Sequence, residues 1–348
     1  MRPEDHRATL LSALPFLVMA VVTVADLVGG PAVVFLPLLS LGPAFAPLVG
    51  GWRRTAGVGG IALLLCAALA WYNDLLHTPR GWMSVVSVLG VTAAGLLAVS
   101  LRRQREAELD HVRSIAEAAQ RALLKPVPRS AGGVRLAVSY MSAVAEAHIG
   151  GDLYEVVASP HGVRAIVGDV QGKGLEAVET AAVVLGAFRE ACLDEADLVA
   201  VGTRLERAVE RQLDGEKFVT AVLAEVADGE VTFVNYGHPP PLLMRPDGTL
   251  VWPEPDSYAL PLGLAGHDTA PPQPYRAGFL PGDDLLLYTD GLTEARDAEG
   301  RFYPLAERAH LLRGRDPETA LRTLRHDLLQ HADGPPQDDT ALLMLHRT

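Results

Sequence analysis

Residues 154–170 read Tyr-Glu-Val-Val-Ala-Ser-Pro-His-Gly-Val-Arg-Ala-Ile-Val-Gly-Asp-Val. Two apolar runs, 154–158 and 163–167, flank Ser159-Pro160-His161-Gly162, whose proline and glycine favour a tight turn. A connection this short joins antiparallel strands, because parallel neighbours need a crossover of a dozen residues or more. The second run ends in Gly168-Asp169, which sets a carboxylate at the end of a strand.

The same grammar recurs further along. Runs 219–226 and 231–236 flank Asp228-Gly229, and runs 242–245 and 249–252 flank Pro246-Asp247-Gly248. Both are hairpin signals. An alternating run at 134–141 and apolar runs at 285–288 and 341–345 supply further strands. Segments 176–192, 198–213, 305–312 and 317–331 read as helices. Hairpins outnumber strand–helix–strand units, so antiparallel sheets are expected, with helices covering at least one sheet face. The expected fold class is a layered α+β sandwich.

The 348-residue chain changes character near Leu101. Before it lie four apolar stretches, 10–28, 32–49, 57–71 and 83–99, each near the ~20 residues that cross a bilayer core. Arg2 and Arg7 precede the first, Arg53 and Arg54 separate the second and third, and Arg102, Arg103 and Arg105 follow the fourth. The other two loops hold only Arg80. The positive-inside rule then puts both termini and the soluble part in the cytoplasm, with Trp71, Tyr72 and Trp82 at the outer interface. Asp26, near the outer end of the first stretch, is either a functional group or simply solvated. Residues 101–124 contain no Gly or Pro and are rich in Ala, Glu, Arg and Gln, which favours helix up to the stops at Pro126 and Pro128. Its stripe (Leu109, Val112, Ile115, Ala116, Ala119, Leu123, Leu124) could pair with a second copy, giving a homodimer, or pack on its own domain. The expected division is a membrane region 1–100, a connector 101–126 and a soluble domain 127–348.

A net charge of −12 argues against a nucleic-acid partner, which needs a basic face. The two cysteines, Cys66 and Cys192, form no CxxC pair, which excludes a zinc ribbon or disulfide framework.

Four acidic motifs sit beside strand ends: Gly150-Gly151-Asp152, Gly168-Asp169-Val170-Gln171-Gly172-Lys173-Gly174, Thr289-Asp290-Gly291 and Gln337-Asp338-Asp339-Thr340. Each alone is a turn signal. The second is not a P-loop, since Gly174 stands where Ser or Thr would follow the lysine. The first lacks the Glu-Phe of cyclic-dinucleotide synthases. Converging, the four would gather negative charge that cations must neutralise. All-oxygen ligation suits Mg²⁺ or Mn²⁺, and two such ions can activate water for displacement at phosphorus.

In this order the motifs resemble the stage II sporulation E-type branch of the protein phosphatase 2C superfamily. The stretches that carry the resemblance are AEAHIGGDLYEVV, VGDVQGKGLEA, KFVTAVLAEV, VNYGHPPPLLM, LPLGL, LLLYTDGLTEARD and QDDTALLML, with AAQRALLKP before them, covering residues 116–347. The resemblance implies two antiparallel β-sheets between helices (αββα) and two Mg or Mn ions at one end. By position, Asp169 would bridge the ions and the Val170 carbonyl would bind one. Asp290 and Asp338 would complete the sites, with Asp339 competing for the latter role and Asp152 acting directly or through water. A hydroxide on the metals would attack the phosphoserine or phosphothreonine of a protein, such as an anti-sigma-factor antagonist in a partner-switching pathway. Lys173 stands where the family commonly has His, and Glu155 where it usually has Asp. Lys173 could contact substrate phosphate; His238, in Gly-His-Pro, is either a loop residue or a docking residue. The rival readings are a catalytically weak module that binds a partner, and a membrane receptor or transporter with a phosphatase-like appendage.

Overall fold

A computed structural model describes residues 3–29, 35–142, 150–212, 217–264, 272–314, 316–332 and 338–348. The chain divides into two compact units, Met1–His111 and Val112–Thr348.

The first unit is helical. It comprises α1 (Pro3–Gly29), a 3-10 turn at Leu36–Ser40, α2 (Leu41–Val49), α3 (Trp52–Tyr72) and the first part of α4 (Pro79–Leu123). Met19, Leu36, Leu39, Val58, Ala62, Cys66 and Val88 form its buried core. Two helical stretches are long and apolar enough to cross a membrane, Trp52–Tyr72 and Pro79–Glu108; Ser12–Val28 and Leu36–Leu48 are shorter. Among the described residues two full-length spans are thus seen of the four expected; residues 32–34 of the second expected stretch lie outside the described residues. The second stretch is broken into a five-residue 3-10 turn and a nine-residue helix. Pro37 opens the 3-10 turn, and Pro43, which cannot donate to the carbonyl of Leu39, lies just past the junction; Pro47 is accommodated inside α2. Asp26 is buried rather than solvated, and accepts hydrogen bonds from the Phe35 amide (3.1 Å) and Asn73 Nδ2 (2.9 Å).

The second unit is a four-layer α+β sandwich. One sheet runs β1 (Ser130–Ala131), β2 (Val134–Met141), β11 (Thr340–Arg347), β10 (Asp284–Tyr288), β7 (Leu242–Met244) and β8 (Leu250–Val251), in that spatial order. The other runs β3 (Leu153–Ser159), β4 (Gly162–Val170), β5 (Val219–Ala227), β6 (Glu230–Tyr236) and β9 (Tyr275–Gly278). Every pairing between these strands is antiparallel among the described residues. The Ser159–Gly162 turn closes the β3–β4 hairpin, with Ser159 opposite Gly162.

Strand alternation builds the layers. On β4, Val163, Ala165 and Val167 meet Leu343, Leu345, Leu285 and Leu287 of the facing sheet. Ile166 and Val170, on the opposite face, pack under α5 (Leu175–Asp194) and α6 (Leu198–Gln212). The other sheet is covered by α9 (Pro317–His331), with Leu321, Leu324 and Leu328 against Leu342 and Met344. The four-residue helices α7 (Asp290–Thr293) and α8 (Leu305–Arg308) complete the domain. The helix expected at 101–124 is the later part of α4. At its end, Ala119 and Leu123 pack against Val178 of α5, so this part of the stripe lies on its own domain.

Candidate active site

The four acidic motifs meet at one end of the two sheets. Asp152 directly precedes β3 and Asp169 is the penultimate residue of β4. In the hairpin register Leu153 faces Gly168, which brings the two carboxylates together. Asp290 opens α7 immediately beyond β10, and Asp338 and Asp339 immediately precede β11. These strands are also neighbours, with Tyr288 opposite Leu342. Thr289 joins the two pairs across the sandwich: its hydroxyl donates to Asp152 Oδ2 (2.7 Å) and accepts from the Ala341 amide (2.9 Å).

Two glycines make this approach feasible. A Cβ on Gly150 would lie 2.3 Å from Asp339 Oδ2, and one on Gly291 would lie 1.9 Å from the Asp339 carbonyl oxygen. Any side chain at either position would force the motifs apart.

The carboxylates feel one another strongly. Burial, followed by the charges of Asp290, Asp338 and Asp339, pushes Asp169 up to about 7. Asp152 is held well above the ordinary carboxylate range by burial and by Asp169, against the opposing hydrogen bond from Thr289. Asp290 is raised by burial, Glu294 and Asp338. The cause is general: a desolvated carboxylate beside others of like charge resists ionisation.

The adjacent pair Asp338 and Asp339 divides clearly. Asp339 is 2% exposed and accepts from Tyr140 Oη, from the Gly150 amide (3.1 Å) and from Ser142 Oγ (3.4 Å). Asp338 is half exposed and meets Lys173 Nζ at 3.1 Å. Asp338 also borders a cavity of about 450 Å³ lined by Gly291, Glu294, Ala295 and Arg296. The Arg296 guanidinium there lies 4.4 Å from the ring centre of Phe302.

Among the described residues, no three His, Cys, Asp or Glu side chains are arranged to hold a metal ion as they lie. Asp152 turns to Thr289, Asp338 to Lys173 and Asp339 to Tyr140. The donor chemistry nevertheless fits Mg²⁺ or Mn²⁺: the groups are oxygen donors, partly desolvated, with mutual repulsion that a hard cation relieves.

Of the two roles open to His238, its surroundings are those of a loop residue, with its backbone amide donating to Asn235 Oδ1 at 2.8 Å. His238 is 3% exposed, with Nδ1 3.0 Å from Thr220 Oγ1 and Nε2 3.1 Å from the Tyr288 carbonyl oxygen. Burial depresses it to about 3, so it stays neutral and ties β5 to the end of β10. Glu155 faces α5 rather than the site and bonds Arg189 Nε at 2.6 Å, so its departure from the family pattern leaves the site's carboxylates untouched. Sequence reasoning missed Tyr140 and Gln120, which lie outside the four motifs. It quoted Thr289 without giving it a role. Residues 145–149 and 337, which belong to the stretches named above, lie outside the described residues.

An antiparallel two-sheet sandwich with helices outside is the fold of PP2C domains, and here acidic loops gather at one end of it. Residues 159–348, more than half of the chain, match the family model described as Stage II sporulation protein E (SpoIIE), and the chain belongs to that family. Among solved structures it is similar to the RsbU and RsbW domains of a Mycobacterium tuberculosis protein, at 27% identity over 64% of this chain and 62% of that one, with a TM-score of 0.52. This chain thus spans less than two thirds of that structure. It is also similar in fold to the SiaA-PP2C domain of Pseudomonas aeruginosa, at 18% identity over 70% of this chain and 98% of that one, with a TM-score of 0.57.

Proposed function

We propose that this chain is a membrane-attached, metal-dependent protein serine/threonine phosphatase acting on a phosphoprotein of a partner-switching pathway, such as an anti-sigma-factor antagonist. The observation that carries this reading is the set of desolvated carboxylates, Asp152, Asp169 and Asp290, raised together by burial and mutual repulsion. The similarity to a structure containing RsbU and RsbW domains supports the partner-switching context. The apolar helices Trp52–Tyr72 and Pro79–Glu108 support membrane attachment, and the arginine distribution favours a cytoplasmic phosphatase domain.

Asp169, Asp290, Asp338 and the Val170 carbonyl would hold two Mg or Mn ions, with Asp152 in support. When bound, the ions supply a water activated at neutral pH and charge stabilisation for in-line displacement at phosphorus. The protein's own groups do the rest. Thr289 fixes Asp152 by its hydrogen bond. Neutral His238 holds the strand end that leads into Asp290. Asp338, the more exposed of its pair, is the member free to change partner, whereas Asp339 is committed to Tyr140 and Gly150.

Lys173 decides between this reading and that of a catalytically weak module. Its ammonium could block the site by holding Asp338. Both side chains are about half exposed, however, and such a pair contributes only ~0–1 kcal/mol. Asp338 would give up this lysine for a divalent ion at little cost, and Lys173 would then be available to meet the substrate phosphate as a point charge.

The test uses the purified full chain with a phosphorylated antagonist protein. Phosphate release should require Mn²⁺ or Mg²⁺ and stop with EDTA. Full turnover in EDTA would overturn the metal-dependent reading. Partner binding without Mn²⁺ affinity or turnover would favour the weak module.

A further inference from the structure

The segment AAQRALLKP precedes all four acidic motifs, yet its glutamine reaches two of them. Gln120 lies in the last turns of α4 and is 6% exposed. Its Nε2 donates to Tyr140 Oη (2.8 Å) and to the Gly150 carbonyl oxygen (3.0 Å). Tyr140 Oη in turn donates to Asp339 Oδ2, which also accepts from the Gly150 amide at 3.1 Å. The four residues close a ring of hydrogen bonds. Both N–H groups of the amide thus have an acceptor.

The ring is anchored on its outer side. Ala119 and Leu123 pack on Val178, and Arg189 Nη2 donates to the Leu123 carbonyl oxygen (3.2 Å) while its guanidinium pairs with Glu155. The end of α4 is thus fixed to α5, and Gln120 projects from it to a junction. On one side of that junction is the loop Gly150-Gly151-Asp152; on the other is Asp338-Asp339.

We infer that Gln120, acting with Tyr140 through Asp339, is a positioning residue: it sets the spacing between the first and last acidic motifs and so tunes divalent-metal affinity. This rests on the metal-dependent reading above. The groups that orient a metal site from outside are typically worth 10- to 100-fold in affinity, so Gln120 should register in metal binding although it touches no ligand position directly.

The experiment is Mn²⁺ titration calorimetry on the purified full chain, comparing wild type, Gln120→Ala, Tyr140→Phe and the double variant. Tyr140→Phe keeps the ring that packs near Tyr154 and deletes only the hydroxyl. Each single variant should raise the Mn²⁺ Kd about 10-fold. The double should be no worse than the weaker-binding single, because both cut the same chain of bonds. An unchanged Kd for Tyr140→Phe, or effects that multiply in the double variant, would overturn the inference. Should Gln120→Ala fail to fold, the Kd of Tyr140→Phe decides alone. Absence of Mn²⁺ binding by the wild type would instead overturn the functional reading, and this inference with it.

Discussion

Strand β4 carries a buried arginine near one end and a half-buried aspartate near the other, and the fold treats the two in opposite ways. Arg164 is fully buried and answered at every turn. Its Nε meets Glu225 at 2.6 Å, and its other nitrogens donate to the carbonyl oxygens of Cys192 (3.0 Å), Glu195 (2.7 Å) and Ala196 (3.0 Å). It thereby closes the C-terminal end of α5, where a cation also suits the helix dipole. Five residues on, Asp169 sits among Asp152, Asp290, Asp338 and Asp339, its ionised form opposed by its neighbours. One end is satisfied within the chain. The other is left unfinished, and that difference marks which buried charges belong to the scaffold and which to chemistry.

Four measurements press on this contrast. Asp169→Asn should lower phosphatase turnover by about 10³-fold, the scale expected when a central electrostatic group is lost. Chemical denaturation of the metal-free variant should show stability equal to or above wild type, because one repelling charge is gone; a clear loss would mean that Asp169 is as structural as Arg164. Arg164→Met should do the reverse. Leaving Glu225 and three carbonyls without their partner should cost about 3–5 kcal/mol in urea unfolding, with turnover per folded molecule little changed.

The third measurement is pH. Asp169 is raised from an ordinary value of 3.8 to about 7. The stability its protonated form contributes is therefore complete below pH ~4 and lost as pH climbs through ~7. Between pH 5.5 and 7.5 the metal-free chain should lose on the order of 2 kcal/mol from this group, and Mn²⁺ should restore more at the higher pH. Urea midpoints that rise with pH in EDTA would contradict the assignment. The smallest effect belongs to Lys173→Ala. Removing a half-exposed partner of Asp338 should change Mn²⁺ affinity by less than about fivefold and stability by under ~1 kcal/mol. A larger fall in stability would make that ion pair a second finished charge.

The sequence was most readable where local chemistry and tertiary packing agree. Helix α9 runs Pro317–His331 as expected, with proline at its first position, where no N–H is needed. The hairpins at Ser159–Gly162 and Asp228-Gly229 follow from their turn residues, with Asp228 at φ 49° and Gly229 at φ 80°. Edge strands were harder. β9 is four residues of Tyr-Arg-Ala-Gly that pair only with β6, so the sheet rather than the residues makes it a strand. Apolarity alone suggested a second full span, whereas prolines at 37 and 43 lie where it breaks.

Within the site, the converging motifs were legible as a pattern, but Asp338 and Asp339 were not separable. Identical neighbours differ only in what surrounds them, and Tyr140 and Gly150 come from far away in the chain. Gln120 was hidden for a related reason. A glutamine in an Ala/Glu/Arg-rich helix reads as a surface residue until the element it meets is known.

Strand β11 lies between β2 and β10 in the middle of its sheet. Asp152 and Asp169 come from a hairpin that can form early and locally, but Asp338 and Asp339 arrive only with Thr340–Arg347. During synthesis the domain must therefore wait with an open slot between two strands made long before. The acidic cluster is thus complete only when β11 closes the sheet between β2 and β10.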